Sequence, residues 1–104
     1  MNPTHFVIFA TDAPDKQAVR AAVRESHRAY IRQPNADDTV VVFGGPTLAE
    51  DQVMNGTLLV VQAASIDAVR RFVAGDPYSQ NGLFAAVEIR EWRCGLVRAD
   101  LLSS

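Results

Sequence analysis

The residues of this chain best equipped for chemistry are an imidazole, a carboxylate and a row of guanidinium groups. His27 lies among Arg20, Arg24, Arg28 and Arg32, and Asp76 stands between Gly75 and Pro77 with Tyr78 and Ser79 directly after it. Gly75 suffices to end a helix and Pro77 to keep it from restarting, so an acid between them invites a second role. A carboxylate within reach of an imidazole orients the ring and fixes its tautomer. An imidazole held that way can move protons in a substrate, an effect of about 10²–10⁴ in rate. Tyr78 and Ser79 could then hold a substrate oxygen through their hydroxyls. They could equally pack the loop onto the helices and cap a turn.

The arginines also have two readings. A repeat of four residues makes a solvated helix face, here partly neutralised by Glu25, and this is the commoner use. The same row could form an anion-attracting ridge beside His27, with Arg28 at a pocket rim. Gly44-Gly45-Pro46 would let a ligand approach the backbone at Gly45 and Pro46, although ending a strand is the more usual role. The sequence has no phosphate-cradling glycine loop and no paired-cysteine spacing. Neither His5 nor His27 has neighbouring ligands, and Asp37-Asp38 and Glu50-Asp51 read as loop solvation. No metal and no cofactor is expected.

Composition narrows the setting. The 104 residues are 48% hydrophobic and 21% charged, and 12 acids against 10 bases leave a net charge of −2. This predicts one globular domain and argues against nucleic acid as a partner. Cys94 stands alone and cannot form an intrachain disulfide, in keeping with a reducing compartment. The N-terminal MNPTHFVIFATDAP has no basic leader and only a short apolar run, so neither a signal peptide nor a membrane span is expected. A soluble cytoplasmic protein follows as the expectation.

Several elements must position these groups. HFVIFA (5–10) reads as a strand, with Asp12 capping a helix and Pro14 in its first turn. The helix runs to Gln33 on a stripe of Val19, Ala22, Val23 and Tyr30. Taking Val19 as the centre of that stripe puts His27 about 80° away, on the border between buried and wet. Pro34 and residues 35–38 close the helix. TVVVFGG (39–45) is a second strand stopped by Gly44-Gly45-Pro46, and a polar loop runs through Asn55. GTLLVVQA (56–63) is a third strand. Ser65 caps a second helix with Ile66, Val69, Phe72 and Val73 inward, ending at Gly75. FAAVEIREW (84–92) is a fourth strand, and 93–104 is a tail with room for one further short strand.

The order βαββαβ predicts an α+β fold, a ferredoxin-like plait with an antiparallel sheet and both helices on one face. With the first and third strands taken as parallel, their helices run parallel too. That brings the C-terminal half of helix one, with His27, beside the end of helix two at Asp76. The other sheet face is apolar as well. Strand one puts Phe6, Ile8 and Ala10 against Val7 and Phe9, strand two Val41 and Phe43 against Val40 and Val42, strand three Leu58 and Val60 against Leu59 and Val61. A second copy covering that face would give a two-fold homodimer.

Taken in order, FVIFATDAPD, the helix with Arg20 and His27, Gly44-Gly45-Pro46, Gly56-Thr57-Leu58-Leu59, Asp76-Pro77-Tyr78, Gly82-Leu83-Phe84 and Val87-Glu88-Ile89 resemble the YCII-related (YciI-like) domain family. The resemblance covers nearly the whole chain, with Gln33–Asp38 and Cys94–Ser104 outside any family motif. It implies a ferredoxin-like fold that dimerises through its sheets, related to dimeric α/β barrels. It implies an active site on a His-Asp pair, carried here by His27 and Asp76, with Ser79 near a position where some relatives add a hydroxyl. One resembling branch eliminates chloride from a chlorinated hydroxyquinol, and muconolactone isomerases share the broader architecture. The expectation is a small cofactor-independent enzyme of lyase or isomerase type, acting on a small organic acid or phenolic compound. The alternative is a non-catalytic small-molecule-binding or accessory module using the same cleft. A cofactor-free monooxygenase on the related barrel scaffold has less support.

Overall fold

A computed structural model of the chain describes residues 4–102, so Met1–Pro3 and Ser103–Ser104 lie outside the described residues. Strand β1 (Thr4–Asp12) leads to helix α1 (Gln17–Ile31), followed by β2 (Val40–Leu48), β3 (Met54–Ala63), α2 (Ile66–Gly75), the single turn α3 (Pro77–Gln80) and β4 (Phe84–Trp92). The sheet order is β2-β3-β1-β4. Neighbours are antiparallel throughout, with Ile8 opposite both Leu59 on β3 and Ile89 on β4. This is the ferredoxin-like α+β plait.

The period of two explains the core. Phe6, Ile8 and Ala10 alternate onto one face of β1, and Leu59, Val61 and Ala63 do the same on β3. Val69 and Phe72 of α2 cover them, at 0% and 1% exposure. Burying a side chain of that size contributes about 1.5–3 kcal/mol.

Strands β1 and β3 are antiparallel neighbours, which corrects the expected parallel pair. A right-handed crossover through α1 makes β2 parallel to β1, and the hairpin after β2 then reverses β3. Helix α2 therefore runs back along α1. Arg20 lies beside Tyr78, His27 meets Asp76, and Tyr30 Oη donates to the Phe72 carbonyl at 2.8 Å, so rising positions on α1 meet falling positions on α2 and α3. The end of α2 therefore meets the C-terminal half of α1. A Cβ on Gly75 would sit 2.6 Å from Tyr30 Oη, so any side chain there would push the phenol end aside and disturb its bond to the Phe72 carbonyl.

Local expectations are met unevenly. Ser65 caps α2, its Oγ accepting from Ala68 N at 3.1 Å. Asp12 does not cap α1, whose N-cap is Lys16 without a side-chain bond. The pairing register of β1 slips between Thr11 and Asp12, and Asp12 turns to Arg20 instead. Pro77 does not prevent a restart. It opens α3, where a missing N–H is tolerated.

Strand β2 runs through Gly44-Gly45-Pro46 to Leu48 rather than stopping there. It is an edge strand, and a proline can sit on its unpaired side. A register slip between Val41 and Phe43 sets Val40 opposite Gln62 and Phe43 opposite Val60. Val40 and Phe43 thus share the open face, not Val40 and Val42 as simple alternation predicted. Among the described tail residues there is no strand, only a 3-10 turn at Ala99–Leu101. Among the described residues no helix is long and apolar enough to cross a membrane.

Candidate functional site

Two residues of α1 are fully buried, and both are polar: Arg20 and His27, each 6% exposed. Seven residues apart, they lie within about 20° of each other around the helix. The inward centre of α1 is therefore this polar pair, with Val19 only half-buried. His27 is not a border residue. Centring the buried face on Val19 misplaced it, because apolar residues alone do not mark the inward side of this helix.

Nδ1 of His27 lies 2.8 and 2.9 Å from the two carboxylate oxygens of Asp76. An ionised carboxylate only accepts, so Nδ1–H donates, and Nε2 is left as the ring nitrogen turned away from the pair. The Tyr78 ring stacks on the imidazole at 4.0 Å with planes 16° apart. Asp76 also serves the backbone, because its Oδ1 accepts from Tyr78 N at 2.9 Å and so caps α3. One carboxylate thereby fixes both the imidazole and the turn that carries the stacking ring.

Arg20 holds the other side. Its Nε and Nη2 donate to the two oxygens of Asp12 at 2.8 and 2.9 Å. Nη2 also reaches the Gly56 carbonyl and Thr57 Oγ1, both at 2.9 Å. The guanidinium lies 4.7 Å from the centre of the Tyr78 ring. One side chain thus ties the end of β1, the start of β3 and α3 together. Burial works against its charge, yet the Asp12 carboxylate holds the guanidinium above its usual range. Burial also raises Tyr78, against the opposing pull of Arg20 and Arg24.

In front of His27 opens a cleft of about 390 Å³ between α1 and the β2–β3 edge. Tyr78, Thr57 and Leu59 line its depth, and Gly44, Gly45 and Pro46 its strand wall. Arg20, Arg24, Arg28 and Arg32 all line it too, so the row is not merely a solvated face. Of the residues singled out in the sequence, His27, Tyr78, Arg28, Gly45 and Pro46 meet at this cleft, and Asp76 stands behind the imidazole. Ser79 does not line it. Its hydroxyl is buried with no hydrogen-bond partner among the described residues. Arg20 is the builder that residue type alone missed, and the signal available was its seven-residue spacing from His27. Among the described residues no three His, Cys, Asp or Glu side chains converge as a metal-binding group.

Comparison with known proteins bears on this arrangement. An uncharacterized protein of Haemophilus influenzae is 29% identical over 94 residues, covering 86% of this chain and 96% of its own length. The solved structure of 5-chloro-2-hydroxyhydroquinone dehydrochlorinase from Burkholderia phenoliruptrix, in complex with 2,5-dihydroxybenzoquinone, is 35% identical. It superposes with a TM-score of 0.76, over 88% of this chain and 95% of that one. A putative antibiotic biosynthesis monooxygenase from Bacteroides thetaiotaomicron shares the fold at a TM-score of 0.56 and 11% identity, over 91% of each chain. The model of the YCII-related domain matches residues 4–93. The chain belongs to the YCII-related domain family.

Proposed function

We propose that this chain is a small enzyme of lyase or isomerase type in which His27 moves a proton on a small organic acid or phenolic compound. The observation that carries the reading is the imidazole held at Nδ1 by Asp76 while its ring lines an arginine-rich cleft. Nε2 accepts a proton from an acidic C–H or O–H of the substrate. In an elimination, the electron pair left behind expels a leaving group from the adjacent carbon. In an isomerisation, Nε2–H returns the proton to a different atom. Asp76 keeps the Nδ1–H tautomer throughout and offsets the charge of the imidazolium. The arginines of the cleft favour the anion that forms. The dehydrochlorinase at 35% identity supports a halogenated, hydroxylated ring as the first substrate to try.

The test is chloride release from 5-chloro-2-hydroxyhydroquinone by wild type, His27→Gln and Asp76→Asn. Wild type turns over, and His27→Gln loses about 10²–10⁴ in kcat. Undiminished turnover by His27→Gln of every substrate that wild type accepts would sink the proposal. Binding that survives His27→Gln, with no turnover by any variant, favours a non-catalytic binding module.

The open face of the sheet supports a second element of this reading. Phe9, Phe43 and Val40 there are 43%, 40% and 38% exposed, and Phe43 meets Trp92 edge-on. A second copy packed on this face would form a two-fold dimer with the aromatic groups at its centre. Sedimentation should give a dimer that Phe43→Asp dissociates. A wild-type monomer at high concentration would remove the idea.

A further inference from the structure

The arginine row divides in a way that specifies the ligand. Arg20 is already satisfied by the Asp12 carboxylate, and its charge belongs to the fold. Arg24 is exposed, lines the cleft and forms no ion pair among the described residues. Arg28 has only an exposed Glu25 oxygen at 3.5 Å, and Arg32 donates to a backbone carbonyl. From His27, Arg24 and Arg28 lie about 60° and 100° around the helix, on one side. Being one turn apart, their stems stand about 5–6 Å from each other, so both forks can reach one anion. No carboxylate lines the cleft among the described residues. A chain of net charge −2 thus presents unspent positive charge at the one wall beside its reactive imidazole.

The rest of the cleft fits a carbon skeleton. Ile31, Pro46, Met54 and Leu59 give it an apolar lining. Phosphate sites usually add backbone amides from a helix start. Here Tyr78 N, the amide at the start of α3, is already taken by Asp76. Forked guanidinium groups over an apolar floor suit a planar carboxylate on a small organic body.

We infer that the ligand of this cleft is a small organic carboxylate, its carboxylate gripped by Arg24 with help from Arg28 and its acidic hydrogen presented to His27. The inference rests on the proton-transfer reading only for the orientation of the ligand, since the anion grip is a matter of binding alone.

The test is calorimetric titration with two matched pairs: 2,5-dihydroxybenzoate against hydroquinone, and benzoate against phenyl phosphate. Wild type should bind 2,5-dihydroxybenzoate about 10–100-fold more tightly than hydroquinone. Arg24→Gln, on an exposed position whose folding is checked by its unfolding midpoint, should erase that preference. His27→Gln should keep it. Equal binding within the first pair, no binding by either member, or a preference that outlives Arg24→Gln each overturns the inference. So does loss of the preference in His27→Gln, which would assign the anion to the imidazole. Tighter binding of phenyl phosphate than of benzoate would replace carboxylate with phosphate. Turnover is not the readout. A carboxylate preference without any activity would therefore retire the catalytic reading and leave this one standing.

Discussion

Arg20 and Arg28 are the same residue type on the same ridge of α1, two turns apart, and the molecule uses them oppositely. Arg20 is 6% exposed, carries a bidentate carboxylate and links β1, β3 and α3. Arg28 stands at the cleft rim with its side chain 47% exposed and a loose partner. Nothing in the row itself separates them. The antiparallel return of α2 sets α3 over the first half of α1, so what meets that half is Tyr78 and the end of β1. In the second half, His27 and Tyr30 pack on the end of α2, while Arg28 and Arg32 line the open edge near Gly44. The site is therefore built at one end of a periodic ridge and opened at the other.

The sharpest way to break this contrast is Arg20→Met. It leaves Asp12 buried without a partner and should destabilise the fold by about 3–5 kcal/mol, read from urea unfolding. Combining it with Asp12→Leu should recover much of that loss, because the uncompensated charge goes too. A single variant close to wild type would show that Arg20 is no more structural than Arg28.

Asp76→Ala should be next, at about 1–3 kcal/mol, since it strands His27 Nδ1–H and the amide of Tyr78 in the interior. Asp76→Asn separates the two roles of that residue. Asparagine still caps a helix, so stability should stay within about 1 kcal/mol of wild type while turnover falls. Equal loss of stability in both variants would mean that the charge, not the hydrogen bonds, holds the turn.

A pH series sharpens the comparison at Tyr78, the ring the two ends share. Burial raises Tyr78 and Tyr30 above their ordinary value of 10.0. A phenol whose folded value is raised contributes stability that is complete below the unfolded value and is lost as pH rises through the folded one. Unfolding midpoints should hold steady up to about pH 10 and fall beyond it. Tyr78→Phe should flatten part of that fall. An unchanged slope would assign the fall to Tyr30 and other groups.

The smallest effect should come from Arg28→Ala. Its exposed i,i+3 pair with Glu25 contributes no more than about 0.5 kcal/mol, so the unfolding midpoint should barely move. A large shift would erase the distinction from Arg20.

The elements were legible because they follow from local chemistry. The short apolar runs at 5–10 and 56–63, the Ser65 cap and the stripe of Ile66, Val69, Phe72 and Val73 are properties of neighbouring residues, and the order βαββαβ leaves few ways to connect them. The pairing of His27 with Asp76 was anticipated from a route the structure corrects: the helices are antiparallel, and the contact arises where the end of α2 meets the C-terminal half of α1. The bulge at Val42 was not legible, because a strand's own pattern does not say where its partner's register slips. Neither was the role of Asp12, which capping rules direct to the helix and β1 directs to Arg20.

The sequence alone determined which groups are present, where helices and strands form, and the family to which they belong. Only the tertiary structure decided that a polar pair faces inward on α1, that one arginine is structural while its neighbours line a cleft, and that Ser79 stands outside it. The physical reason is that short-range propensity acts through adjacent residues, whereas burial and pairing depend on which distant backbone arrives opposite each side chain.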